Sequence, residues 1–150
     1  SEQRWEWLTE VVDLMKERAP LLTTFVDWAQ YFFADDYTFE NRARREWLNR
    51  EDTPDVLDTL ADRFEKFDEW DLDGIEQTIR GLSDDLDVSA GDVIHPCRAA
   101  VTGTTIGPSL FHLLEVLEQH DVIGRLRRAA RLSREGKLEP DPDLEDAEES

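Results

Sequence analysis

The sequence has one cysteine, only three lysines and no long hydrophobic run. Because Cys97 is alone, an intramolecular disulfide and a cysteine-rich zinc site are excluded. The short hydrophobic runs exclude a transmembrane helix. The first residues do not combine a basic region with an apolar core, so we expect no signal peptide. These absences predict a chain of the reducing cytoplasm that has no membrane partner.

Basic residues are also scarce relative to acidic ones. Lys and Arg number 17 and Asp and Glu number 36, which gives a formal charge of −19. This balance is the opposite of the one typical of nucleic-acid-binding proteins. It has two interpretations: an acidic, solvated surface adapted to a salty cytosol, or an acidic domain that binds a protein partner. The composition leaves both open.

What the sequence does contain is apolar residues at helical spacing. They make up 39% of 150 residues, enough for one domain or two small sub-bundles. No stretch alternates as a strand does, so the fold class is predicted to be all-α. We predict a helix from Pro54 capped by Thr53, one capped by Asp71, one from Asp92 to Thr102 closing at Gly103, one starting at Pro108 and a last one capped by Asp121.

The helical spacing also predicts which residues face the core. The predicted stripes are Trp5, Leu8, Val12 and Met15; Phe25, Trp28 and Phe32; Val56, Leu57, Leu60 and Phe64; Leu72, Ile75, Ile79 and Leu82; and Leu110, Leu113, Leu114 and Leu117.

Motifs that resemble catalytic or metal sites do not meet the chemical requirements. The stretch from Glu69 to Arg80 is similar to a calcium loop, but its twelfth position is Arg80 instead of a bidentate Glu. The histidines His95, His112 and His120 lack metal-ligand spacing, and Cys97 has no neighbouring base that would activate it. We therefore expect no catalytic residue, no metal ligand and no cofactor in this chain.

Two features point to recognition. Arg127, Arg131 and Arg134 share one face of the last helix, where they either balance acids of neighbouring helices or contact phosphates. The connection after Thr102 holds two glycines, which let the backbone approach a ligand closely, and Arg98 precedes it. Such a connection suits an unstacked base of single-stranded RNA.

The segment "HPCRAAVTGTTIGPSLFHLLEVL" followed by "VIGRLRRA" resembles the C-terminal signature of bacterial-type glutamyl-tRNA synthetases. Upstream, "LMKERAPLLTTFVDWAQYFFADDY" and "EWDLDGIEQTIRGLSDDLDVSAGDV" resemble the family's preceding helices, so the resemblance covers roughly residues 5–132. It implies an α-helical anticodon-binding region made of two consecutive small bundles. We place these at residues 1–38 and 39–138, followed by a disordered acidic tail at 139–150.

The resemblance also implies a tRNA partner and five site residues. Arg98 matches an arginine that contacts the anticodon, and Pro108 and Leu110 match residues lining the pocket for its first base. Gly107 stands where some relatives carry a hydroxyl residue. Arg18 matches the arginine that recognises the third anticodon base, where glutamine goes with accepting glutamine tRNA as well.

The resemblance further implies that this chain is not an enzyme by itself. It lacks the His-Ile-Gly-His and Lys-Met-Ser-Lys-Ser signatures, so ATP and magnesium would belong to the catalytic domain of the parent ligase, which is then a partner of this domain. We expect a monomer. The alternative is a catalytically inactive, acidic protein-interaction module that kept the fold. A tRNA-binding module needs a positive or neutral concavity containing Arg18 and Arg98.

Overall fold

The structure, a computed structural model, describes Glu6, residues 38–107 and residues 109–142. Regular structure in these residues is entirely helical, which confirms the predicted all-α class. The helices are α1 (Asn41–Ala43), which continues into a π-helical segment (Arg44–Leu48), then α2 (Thr53–Glu65), α3 (Leu72–Leu86), α4 (Gly91–Thr102), α5 (Leu110–Val116) and α6 (Gln119–Arg134). The division into two bundles, at residues 1–38 and 39–138, stays a prediction because most of the first lies outside the described residues.

The core forms mainly where α2 packs against α6. The two helices are antiparallel, because Arg134 at the end of α6 reaches Asp55 at the start of α2 while Gln119 donates to the carbonyl of Phe64 near its end. The stripes predicted for α2 and for residues 110–117 are all buried, and in α3 only Leu72 is partly exposed. The stripes predicted before residue 38 lie outside the described residues.

Two of the predicted helix boundaries are confirmed by their chemistry. Asp71 caps α3, because its Oδ1 accepts a hydrogen bond from the backbone N–H of Gly74 at 2.7 Å. Gly103 ends α4 with a left-handed φ of 79°, a conformation that costs glycine little.

Two other predicted caps are wrong. Thr53 is the first residue of α2, and its hydroxyl donates to the carbonyl of Trp47 at 2.6 Å, so it satisfies the preceding segment instead. The last helix begins at Gln119, which places Asp121 inside its first turn. Pro108 lies outside the described residues, and α5 begins at Leu110.

The start of α1 is tied to two distant parts of the chain. The N–H of Glu40 donates to the carbonyl of Gly103 at 2.7 Å. Asn41 exchanges two hydrogen bonds with the backbone of Asp141, at 2.6 and 3.2 Å. The contact between residues 39–40 and Gly103 places this segment beside the connection that follows α4. Residues 143–150 of the predicted disordered tail lie outside the described residues.

Trp70 fixes the short helix α5, which carries the other end of that connection. Its indole Nε1 donates to the carbonyls of Leu114 and Leu117, at 2.7 and 2.9 Å. Its ring meets Phe64 edge-on, with centroids 5.0 Å apart. The carbonyl of Leu114 in the last turn of α5 and that of Leu117 just after it are thereby satisfied.

Candidate nucleic-acid interface

Hydrogen bonds of threonine hydroxyls hold the first half of the connection between α4 and α5. The hydroxyl of Thr102 donates to the carbonyl of Arg98 at 2.7 Å and accepts from the N–H of Thr104 at 3.2 Å. The hydroxyl of Thr104 accepts from the N–H of Ile106 at 3.4 Å. Both threonines are buried. These local bonds replace the helical ones that end at Gly103, so the first half of the connection has a defined conformation.

Three arginines, Arg44, Arg125 and Arg128, contact residue 39 or 101 beside the hydrogen bond between Glu40 and Gly103; with Arg98 of α4, we call them the arginine cluster. Arg44 and Arg128 contact Phe39, and Arg125 contacts Val101. Arg98 lies one turn before Val101 on α4. They come from the π-helical segment, α4 and α6, so the fold assembles them from distant parts of the sequence.

The contacts of the cluster are mainly with the backbone and an aromatic ring. Arg125 donates to the carbonyl of Val101 at 2.8 Å, and Arg44 donates to the carbonyl of Phe39 at 3.1 Å. The guanidinium of Arg128 lies over the Phe39 ring, 5.4 Å from its centroid. Arg98 precedes Val101 by three residues and therefore lies on the same face of α4.

The structure places three of the five predicted site residues. Arg98 is 9% exposed and Leu110 is 3% exposed, so each offers only an edge to solvent. Gly107 has a φ of 156° and is partly buried. Arg18 and Pro108 lie outside the described residues. The predicted convergence of Arg18 and Arg98 on one concave face stays a prediction.

Ile106 is a residue that the sequence patterns missed. Its side chain is 64% exposed, next to Gly107 and above the buried Thr104. Helical periodicity could not find it because it lies in a connection. The available signal is one large apolar residue inside the glycine- and threonine-rich stretch "TGTTIG".

The arginine stripe of α6 mostly balances acids, which was one of the two interpretations. Arg127 donates to Asp62 and Glu65, both at 2.8 Å. The hydrogen bond to Asp62, and next the one to Glu65, raise the pKa of Arg127. Arg134 pairs with Asp55 at 3.0 Å and with Asp58.

Arg131, the middle member of the stripe, differs from its neighbours. It is exposed and makes no ion pair with a residue that the structure describes. Of the three arginines in this stripe, only Arg131 therefore has no acidic partner among the described residues and could contact a phosphate.

Cys97 and His95, two of the side chains that could bind a metal or act as a nucleophile, are placed by packing contacts. Cys97 is buried, and this burial raises the pKa of its thiol to about 12, while the charge of Arg98 lowers it only in part. His95 stacks on Trp47 with ring centroids 4.7 Å apart. Within residues 38–107 and 109–142, no group of three His, Cys, Asp or Glu side chains could hold a metal ion.

Comparison with known proteins identifies the family. A family model for an anticodon-binding domain matches residues 1–130. The chain belongs to this family. It is 32% identical over 134 residues to the glutamate–tRNA ligase of Moorella thermoacetica, covering 89% of this chain and 27% of the relative. It is 35% identical over 124 residues to that of Prosthecochloris aestuarii, covering 82% and 24%.

Solved structures agree on the fold. A glutamate tRNA ligase from Elizabethkingia meningosepticum matches with a TM-score of 0.74 and 23% identity, over 84% of this chain and 25% of that chain. The chain spans about a quarter of the length of the relatives it matches. Across the helices that the structure describes, none is long and apolar enough to cross a membrane.

Proposed function

We propose that the chain is the anticodon-binding domain of a glutamate–tRNA ligase and that it recognises the anticodon loop of glutamate tRNA. The observation that carries the proposal is the arginine cluster beside the connection after α4, in a chain whose net charge is −19. The relatives support the same partner, because they are ligases that act on this tRNA class by name. The comparisons do not support the alternative of an acidic protein-interaction module in place of tRNA binding.

The geometry suggests a division of roles around the connection. Ile106 offers an apolar surface against which an unstacked base can pack. We assign Gly107 and Pro108 to the pocket for that base, where glycine lets the backbone approach closely, and the buried Leu110 to its lining. Arg98 supplies positive potential from below and, through its exposed edge, a hydrogen-bond donor.

Arg18 is assigned to the third anticodon base. A guanidinium is a pure donor, so it suits the acceptor edge of cytosine better than the mixed edge of guanine. ATP and magnesium act in the catalytic domain of the parent ligase, which is the other partner of this domain. We place the parent in the cytoplasm and expect it to be monomeric.

The first experiment measures binding of the chain to the anticodon stem-loop of glutamate tRNA by fluorescence anisotropy. Ile106→Ser should weaken binding about tenfold, because an apolar contact with a base is lost. Arg63→Ser is the matched control, since Arg63 pairs with Asp85 on the helical surface at 2.8 Å. Equal affinity for a stem-loop with a scrambled anticodon would contradict anticodon recognition.

The second experiment uses the full-length parent. Arg18→Gln should reduce discrimination at the third anticodon base by about 1–3 kcal/mol, the usual contribution of a good base contact. Charging of glutamate and glutamine tRNAs by the variant provides the measurement. An unchanged preference between the two tRNAs would mean that Arg18 is structural.

A further inference from the structure

A cavity of about 410 Å³ lies between the start of α2, the end of α3 and α4. Its apolar wall is formed by Val56, Leu86, Val88 and Pro96. Leu86 is 44% exposed and Val88 39% exposed. Only one other large hydrophobic residue in the described part of the chain is exposed to this degree, so two of the three line the same cavity. Such a concentration of exposed apolar surface marks interaction sites.

The backbone turn at the end of α3 positions Leu86 and Val88. Asp87, which lies between them, adopts a left-handed φ of 56°, uncommon for a residue other than glycine. The N–H of Val88 donates to the carbonyl of Ser83 at 3.0 Å, which closes the end of α3. In this closing motif the residue after the turn usually packs back onto its own helix. Here Val88 lies beside Leu86 on the cavity wall and remains partly exposed.

The charge of the cavity excludes several occupants. Three carboxylates, Asp52, Asp55 and Asp92, and one cation, Arg50, lie on its wall. Arg50 is 3.8 Å from Asp92, while Asp52 makes no ion pair with a described residue. Phosphates would be repelled here, and so would residues 143–150, which carry five more acids. The complementary occupant is cationic.

The position of the cavity separates it from the proposed tRNA site. Asp92 and Pro96 are four residues apart on α4 and share the face that lines the cavity. Arg98 follows Pro96 by two residues, a rotation of roughly 200° around the helix axis. The cavity therefore opens on the side of α4 opposite the arginine cluster, so both can be occupied together.

We propose that this cavity docks a basic peptide segment of a protein partner, anchored by an apolar side chain. The anchor packs against Leu86 and Val88, and a neighbouring arginine or lysine reaches Asp52. The site is additional to tRNA binding and does not depend on it. Apolar anchoring gives the affinity, and the carboxylates select a cationic segment.

The test uses a ten-residue synthetic peptide of alternating leucine pairs and arginine pairs, titrated into the isotope-labelled chain and followed by NMR. We expect chemical-shift changes concentrated at the methyls of Leu86 and Val88. The double variant Leu86→Ser, Val88→Ser should weaken binding about tenfold, the loss expected when a partly buried apolar contact is removed. Ile106→Ser, the matched control in the connection after α4 and outside the cavity, should leave the affinity unchanged.

Charge is tested separately. Asp52→Asn should weaken binding about threefold at about 50 mM salt and less at about 500 mM, because salt screens the attraction. Asp68→Asn, another exposed carboxylate, is its control. A peptide with serine in place of leucine and the same arginines should bind at least tenfold more weakly.

Three outcomes would overturn the proposal. They are shift changes spread over all the acidic faces, equal binding of the serine peptide, and equal binding of spermine at Leu86 and Val88, which would reduce the site to one for small cations. Anticodon stem-loop binding is measured on the same variants. Loss of that binding by Ile106→Ser but not by the Leu86 and Val88 variant separates the two proposals.

Discussion

Replacing Trp70 by phenylalanine tests how the connection between α4 and α5 is held. The change keeps an aromatic ring against Phe64 but removes the indole N–H. That N–H donates to the carbonyls of both Leu114 and Leu117, at 2.7 and 2.9 Å, at the end of a seven-residue helix. Leu110 lies at the start of the same helix, so the perturbation reaches the proposed tRNA site.

The magnitude follows from the two carbonyls left without this donor. Leaving a buried polar group unsatisfied costs about 1–3 kcal/mol. One N–H shared between two acceptors counts as one strong interaction, so we expect Trp70→Phe to lower the free energy of unfolding by about 1–3 kcal/mol. For a chain of this size each kcal/mol corresponds to a fall in Tm of roughly 2–4 °C.

Urea unfolding followed by far-UV circular dichroism provides the measurement, with an unchanged m-value as the sign that only stability has altered. Trp47→Phe is the matched control. Trp47 is also partly buried and stacks on His95, but its indole N–H makes no hydrogen bond with a residue that the structure describes. If both variants lose the same stability within about 0.5 kcal/mol, the hydrogen bonds of Trp70 do not carry the effect and the reasoning fails.

Three more predictions follow from the described contacts. Asp71→Ala should cost about 1 kcal/mol in urea unfolding through loss of the cap on α3, whereas Asp73→Ala, with no capping bond, should cost less. Cys97 should resist iodoacetamide at about pH 8 in the native chain and react in urea, because burial raises its pKa to about 12; rapid native labelling would contradict this. Stability should rise from dilute buffer to molar potassium chloride if repulsion among the acids is screened; a Tm independent of salt would leave the charge of −19 with another cause.

Periodicity located the described core because each helix buries one continuous face. The stripe from Val56 to Phe64 is buried as expected, and so is the one from Leu110 to Leu117. The cap at Asp71 was predictable because its partner, the N–H of Gly74, lies only three residues away. Local chemistry of this kind can be read from the sequence.

Competition from another backbone acceptor explains why the cap predicted at Thr53 failed. Thr53 has the right residue type for a cap, but the carbonyl of Trp47 six residues earlier takes its hydroxyl. The arginine cluster was not predictable either, because Arg125 reaches the carbonyl of Val101 only once α4 and α6 are packed. The same holds for the cavity beside Leu86, whose wall is drawn from three helices.

The net charge of −19 and RNA binding are compatible because the charges are separated in space. Arg127 and Arg134 of α6 form ion pairs with carboxylates of α2 between Asp55 and Glu65. The arginine cluster lies instead beside the hydrogen bond that joins Glu40 to Gly103. Exposed charges more than about 8 Å apart are largely screened at physiological salt. An anticodon loop bound at this connection, as proposed, would contact the cluster, while the acidic cavity across α4 attracts ligands of the opposite sign.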